Sequence, residues 1–343
     1  MSIPNEHPVI QLIRNRKREG SLPKKRSDDF KLGLALEGGG MRGVVGASMA
    51  TALHCLGLVG VFDAVYGSSA GALAGSLFVT QNMPIGPTIY FDDLVSKDFI
   101  DLKYFFGGKK SVMHLDFLTE TILQGRKPLN WKALLEGDIP LKIVVSSVNK
   151  RKALCIDDYK TKEELFTLLK ASATVPFIAG PPVKYHDDLF FDAALYESIP
   201  YISAKNDGCT HILVLLTRPY GIIRAEPSII DKVLIAPKMK KLNPGLEIDY
   251  LKRDIPYNSS LEELYSKNME IVHLPVINDP SIFSFNLPKG TKTIGGLVKD
   301  RQKLIDGAKS GMKAVMDIFL KDEEIRYQEV LLPFNKYGIN PKL

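Results

Sequence analysis

The chain has 343 residues, 45% of them hydrophobic and 24% charged, which allows a large buried core and excludes wholesale disorder and a multi-span membrane protein. Its three cysteines (Cys55, Cys155 and Cys209) form no C-x-x-C pair, so a disulfide framework or zinc knuckle is excluded and a reducing, cytoplasmic setting fits. The net charge of +6 is concentrated at the start: by Arg26 seven basic side chains stand against Glu6 and Glu19.

Residues 1–30, with Pro4, Pro8 and Pro23, read as a basic arm or linker. Such an arm is either a solvated, frayed terminus or a tether for anionic lipid headgroups or nucleic acid, and the solvated terminus is the plainer reading. The opening residues lack the charged start, apolar run and small-residue cleavage site of a secretory signal. Lys31 to Leu36 is an apolar run that predicts a buried strand. Gly38 to Gly43 predicts a turn, Val44 to Leu56 a helix, Phe62 to Tyr66 a second strand, and Ala70 to Thr80 another apolar helix. The uncharged stretch Val44–Phe62 contains Gly57 and Gly60, so it reads as a buried helix and turn rather than a membrane span. Strand, loop, helix, strand, turn, helix is the opening of an α/β sheet with parallel strands.

Further strands are expected at Leu141–Val148, Ala153–Ile156, Leu189–Phe191, His211–Leu216 and Ile271–Val276. Helices are expected at Lys162–Lys170 and around Leu297–Phe319. Residues 84–130 and 220–260, rich in Pro, Gly and Lys, read as irregular loops or lids. Tyr104, Phe105 and Phe106 read as a packed loop, with a dip into a lipid interface as the alternative.

Two glycine motifs carry chemistry. Gly67-Ser68-Ser69-Ala70-Gly71 matches G-x-S-x-G between an apolar strand and an apolar helix. There the glycines permit a sharp turn that exposes the Ser69 hydroxyl at the positive end of a helix; a purely structural turn is the alternative. In Gly38-Gly39-Gly40-Met41-Arg42-Gly43, consecutive glycines gather backbone N–H groups beside a helix start. That fits an oxyanion hole or a dinucleotide cradle. A dinucleotide fold wants an acid at the end of the second strand, where Gly67-Ser68-Ser69 stands; Asp63, 20 residues after Gly43, precedes that strand's apolar stretch. The oxyanion reading is preferred.

These motifs, with Ala171-Ser172-Ala173-Thr174-Val175-Pro176, Pro181-Pro182-Val183 and Phe191-Asp192-Ala193-Ala194, resemble the patatin-like phospholipases over about residues 31–218. The resemblance implies a three-layer α/β/α sandwich with a mainly parallel central sheet. It divides the chain into the arm (1–30), a catalytic domain (31–218) and a C-terminal extension packed on it (219–343). It implies a serine–aspartate dyad of Ser69 as nucleophile and Asp192 as base, with Gly67 and Gly71 shaping the nucleophile turn. Gly38, Gly39, Gly40, Arg42 and Gly43 would form the oxyanion site. The implied substrate is a lipid ester; a peripheral membrane-surface contact is an open expectation beside it, and no cofactor, metal or nucleic acid is expected. A catalytically weak lipid-binding protein and an acyltransferase are alternatives on the same fold. The family's Asp-Gly-Gly or Asp-Gly-Ala is here Asp192-Ala193-Ala194, which matters if the residue after the aspartate needs a positive φ.

Other candidates read as structural. His211 and His273 lie on apolar strands, where a third catalytic partner would have to come from. Asp157-Asp158 and Asp187-Asp188 suit turns, with calcium as a minor alternative.

Overall fold

A computed structural model describes residues 7–106, 110–269 and 279–320. In chain order the elements are α1 (Pro8–Arg18), β1 (Leu32–Leu36), α2 (Gly43–Cys55), β2 (Ala64–Ser68), α3 (Ala70–Val79), a single turn α4 (Gly86–Thr88) and α5 (Trp131–Glu136). There follow β3 (Leu141–Ser147), β4 (Lys152–Ile156), α6 (Lys162–Ala173), β5 (Val183–Tyr185), β6 (Asp188–Phe191), α7 (Tyr201–Asn206) and β7 (His211–Pro219). The last are α8 (Ala236–Leu242), α9 (Leu246–Leu251), α10 (Asp254–Lys267), β8 (Ser281–Leu287) and α11 (Arg301–Phe319).

The eight described strands form one sheet in the order β5-β6-β3-β2-β1-β7-β8, with β4 also paired to β3. From β3 to β8 along this order all neighbours are parallel; β4, β5 and β6 pair antiparallel. Alternation along each central strand supplies both faces. Leu32, Leu34 and Leu36 of β1 pack with Ile13, Val44, Leu73, Leu165 and Leu304, from α1, α2, α3, α6 and α11. Ala35, Tyr66 and Val214 face Tyr201 of α7 and Leu261 of α10. Helices on both faces of a mainly parallel sheet make the three-layer α/β/α fold. Among the described residues no helix is long and apolar enough to cross a membrane.

The expected N-terminal arm is corrected from Pro8 onward. Val9, Ile10, Leu12 and Ile13 bury one face of α1, and the wholly buried Arg16 goes in with them. Its guanidinium binds Asp28 and Asp63, each at 2.7 Å, and the carbonyls of Val61 and Phe30. Arg26 joins Asp63 at 2.7 Å. Two of the seven basic side chains are thus internal clasps, and apolar spacing outweighs the charge count.

The boundary expected after residue 218 also falls inside the sheet: β7 runs to Pro219, and β8 pairs with it from His211↔Ser281 onward. The expected strand at Ile271–Val276 lies outside the described residues. Residues 220–260 hold three helices where irregular chain was expected. Pro237 lies in the first turn of α8 and Pro256 is the third residue of α10, where proline starts a helix rather than breaking one. Residues 84–130 include π-helical segments at Ile89–Asp93 and Phe117–Arg126.

Candidate active site

Strand register brings the two candidate catalytic residues together. On β3, Val144 lies opposite Ser68 of β2, and two residues on, Ser146 lies opposite Phe191 of β6. Ser69 and Asp192 follow directly, and the Ser69 hydroxyl donates to Asp192 Oδ2 at 2.7 Å. Ser69 has φ +54° and ψ −123°, a region that costs a non-glycine residue of order 1–3 kcal/mol. The turn closes because a Cβ on Gly67 would overlap Ala72, and one on Gly71 would overlap the Leu36 carbonyl. The strained serine is pinned through its own amide, which donates to Ser172 Oγ at 2.8 Å, while that hydroxyl donates to the Val144 carbonyl at 2.6 Å.

Asp192 is 2% exposed. Its Oδ1 accepts the Ala194 amide at 2.7 Å, its own amide donates to the Thr174 carbonyl, and its carbonyl accepts the Ser146 hydroxyl. Burial pushes the carboxyl up to about 6, while the Ser69 hydroxyl, the Ala194 amide and the Arg224 charge pull it down. An acid near neutrality beside a serine hydroxyl has the basicity that proton removal requires.

The glycine loop is partly committed within the protein. The Gly38 amide donates to the Ser198 carbonyl at 3.0 Å, and the Gly43 amide to Gly40 and Met41 carbonyls. Among the described residues the amides of Gly39, Gly40 and Ala70 have no hydrogen-bond partner. The expected donor set of Gly38, Gly39, Gly40 and Gly43 therefore narrows to Gly39 and Gly40, and gains Ala70, the residue after the serine. Gly40 has φ +55°, and a Cβ there would stand 2.6 Å from the Gly296 carbonyl, which also accepts the Met41 amide. Arg42 Nε donates to Thr217 Oγ1 at 3.0 Å. Thr217 in turn donates to the buried Glu37, which also takes the Tyr257 hydroxyl. Burial, then the nearby Arg218, lowers the Arg42 guanidinium below its ordinary value.

Two cavities meet at the serine. The larger, about 420 Å³, is lined by Gly39, Gly40, Ser69 and Asp192 together with Arg42, Arg224 and Arg253. The smaller, about 40 Å³, also borders Gly40, Ser69 and Ala70, and runs between apolar side chains such as Leu73, Phe99, Leu118 and Leu169.

A family model described as patatin-like phospholipase matches residues 34–205, half of the chain. The chain belongs to the patatin-like phospholipase family. Patatin-like phospholipases are lipid acyl hydrolases, and the matched region contains both glycine motifs, Ser69 and Asp192. The crystal structure of VipD from Legionella pneumophila is similar at 13% identity and TM-score 0.42, over 86% of this chain and 67% of that one. No curated protein matches the chain.

The departure from the family pattern is conformationally harmless in this patatin-like phospholipase. Ala193 is not among the residues with positive φ; it opens the helical turn Ala193–Leu195. His211 is buried at the amino end of β7, opposite Leu32, whereas Ser69 follows the carboxyl end of β2. His273 lies outside the described residues. Asp157 pairs with Lys142 at 2.6 Å and Asp188 accepts the Ser147 hydroxyl, so one acid of each pair has a structural partner. Glu37, Ser172, Arg224 and Arg253 escaped the sequence reading as site residues. Their common signal is weak: Glu37 follows β1, Ser172 lies near the end of α6, Arg224 in irregular chain and Arg253 in the turn before α10, so only tertiary packing brings them to the site.

Proposed function

We propose that this family member cleaves carboxylic esters of lipids through an acyl-serine intermediate. The observation that carries the reading is the 2.7 Å hydrogen bond from the Ser69 hydroxyl to Asp192 Oδ2. Ser69 Oγ attacks the ester carbonyl carbon as its proton passes to Asp192. The carbonyl oxygen, now an anion, takes hydrogen bonds from the Gly39, Gly40 and Ala70 amides, each donor of this kind contributing about 3–4 kcal/mol to the transition state. Asp192 returns the proton to the departing alcohol oxygen. Water then attacks the acyl-serine, again with Asp192 as base, and frees the fatty acid.

The lining of the two cavities supports a lipid. The apolar lining of the smaller cavity suits only the first carbons of an acyl group, and the larger cavity, where Val175, Ile178, Leu195 and Leu297 stand beside the arginines, suits the rest of the chain and a polar, preferably phosphorylated, alcohol moiety. Phospholipids and lysophospholipids are therefore favoured over acylglycerols. Ser69→Ala is expected to lower ester hydrolysis at least about 10³-fold with an unchanged far-UV spectrum. An organophosphonate ester is expected to label the peptide containing Ser69. Retained hydrolysis at matched folding, or a label elsewhere, contradicts the assignment. Product analysis with an added alcohol separates hydrolysis from acyl transfer.

A further inference from the structure

Sixteen large apolar side chains are exposed among the described residues, and half of them lie between Tyr220 and Leu242. Ile223, Ile229 and Val233 are 63%, 79% and 63% exposed. A solvent-facing segment normally turns its apolar side inward, and this one does bury Ile235 and Met239 in a cluster with Phe191 and Leu195. Its outer side is apolar as well. Exposed apolar groups concentrated in this way mark an interaction surface rather than ordinary scatter.

Three features identify what meets that surface. It is continuous with the mouth of the larger cavity, which Ile230 of this segment and the exposed Phe105 both line. It is interspersed with Lys232, Lys238, Lys240 and Lys241, all exposed and without an ion-pair partner among the described residues. Of the segment's two acids, Asp231 is already held by Arg253 at 3.0 Å and by the Tyr250 hydroxyl, leaving Glu226. Apolar side chains set among lysines are the chemistry of insertion just below anionic headgroups.

We infer that residues 220–242, with Phe105 across the cavity mouth, form the face by which the protein docks on an anionic lipid bilayer. The cavity mouth then opens toward the lipid, so an ester can pass from the bilayer to Ser69 without crossing water. The route taken by the ester rests on the hydrolase reading; the docking itself does not.

The test uses the full chain with Ser69→Ala, which leaves vesicles intact, in flotation with phosphatidylcholine vesicles with and without phosphatidylglycerol. Binding is expected to need phosphatidylglycerol and to weaken with salt. Adding Ile223→Asp, Ile229→Asp and Val233→Asp is expected to weaken it at least about tenfold. Lys240→Glu with Lys241→Glu is expected to remove the dependence on phosphatidylglycerol. In the active background, the triple aspartate variant is expected to keep its melting temperature and its turnover of a monomeric soluble ester while losing vesicle hydrolysis. Unchanged vesicle binding by the triple variant, or no binding by the parent, overturns the inference. So does a parent dimer in sedimentation that the triple variant dissociates, because a second copy then covers the face. Vesicle binding without turnover of any ester leaves docking standing and removes the hydrolase reading.

Discussion

Arg224 Nη1 donates to the carbonyl of Ala194 at 3.0 Å, and the amide of that same residue donates to Asp192 Oδ1 at 2.7 Å. One alanine thus ties a cation to the turn that holds the Asp192 carboxylate. Arg224 is itself unfavourably placed: burial, then the charges of Arg253 and Arg218, lowers it to about 10. Its charge nevertheless favours the ionised form of Asp192. Arg224→Gln is expected to move the acidic limb of the kcat/KM profile upward, by less than loss of either hydrogen bond to the carboxylate would. A limb that stays in place shows that the arginine does not influence the base.

Activity is expected to rise with pH through about 6, as Asp192 becomes a carboxylate able to accept the serine proton. Stability is expected to run the other way. The folded carboxyl, pushed up to about 6, keeps its proton above its ordinary value of 3.8, so its contribution is full below that value and is lost as pH rises through 6. Ionised Asp192 then costs the fold about 3 kcal/mol. Asp192→Asn is expected to be inactive yet to melt higher than the parent at pH 8, by an amount that disappears near pH 4. Thermal scans at both pH values check this.

Ala193→Gly introduces the glycine of the family pattern but meets no conformational need, because Ala193 is not among the residues with positive φ. It is expected to leave kcat within about twofold and to lower stability by about 0.5–1 kcal/mol through the looser unfolded chain. A large gain in turnover would mean that Ala193 hinders the aspartate.

Ser172→Ala removes both the acceptor of the Ser69 amide and the donor to Val144. Leaving the buried Ser69 amide unpaired is expected to cost about 1–3 kcal/mol in urea unfolding. Turnover is expected to fall more than binding, because the strained Ser69 turn loses its pin.

Arg16→Met cuts the clasp joining α1 to Asp28 and Asp63. Breaking a buried ion pair on one side is expected to cost about 3 kcal/mol, the low end of the usual range, because both acids keep some contact with solvent. The denaturation midpoint measures it.

Much of the sheet was legible in the sequence because its central strands are short apolar runs bounded by glycine or charge. The nucleophile turn was legible because Gly67 and Gly71 must be small for the chain to close there. What stayed hidden depends on tertiary pairing. Nothing local distinguishes Arg16, a buried fork, from the exposed Lys24 beside Asp138. Residues 220–260 read as irregular for their Pro, Gly and Lys content because helices α8 and α10 bury only a narrow strip. The occupied amides of Gly38 and Gly43 could not be foreseen, since their partners are decided by how the loop folds back on itself and on Ser198.

The glycine loop is gripped from beyond the family-matched residues: Gly296 abuts Gly40, Thr217 takes Arg42, and Tyr257 shares Glu37 with Thr217. A recombinant fragment ending at residue 218 would retain Ser69 and Asp192 yet forfeit Gly296, Tyr257, the strand beside β7, and Leu304 of α11, which packs on β1. The smallest excisable unit of this hydrolase therefore extends at least through α11, and trimming it to the recognisable motifs would leave the chemistry without its scaffold.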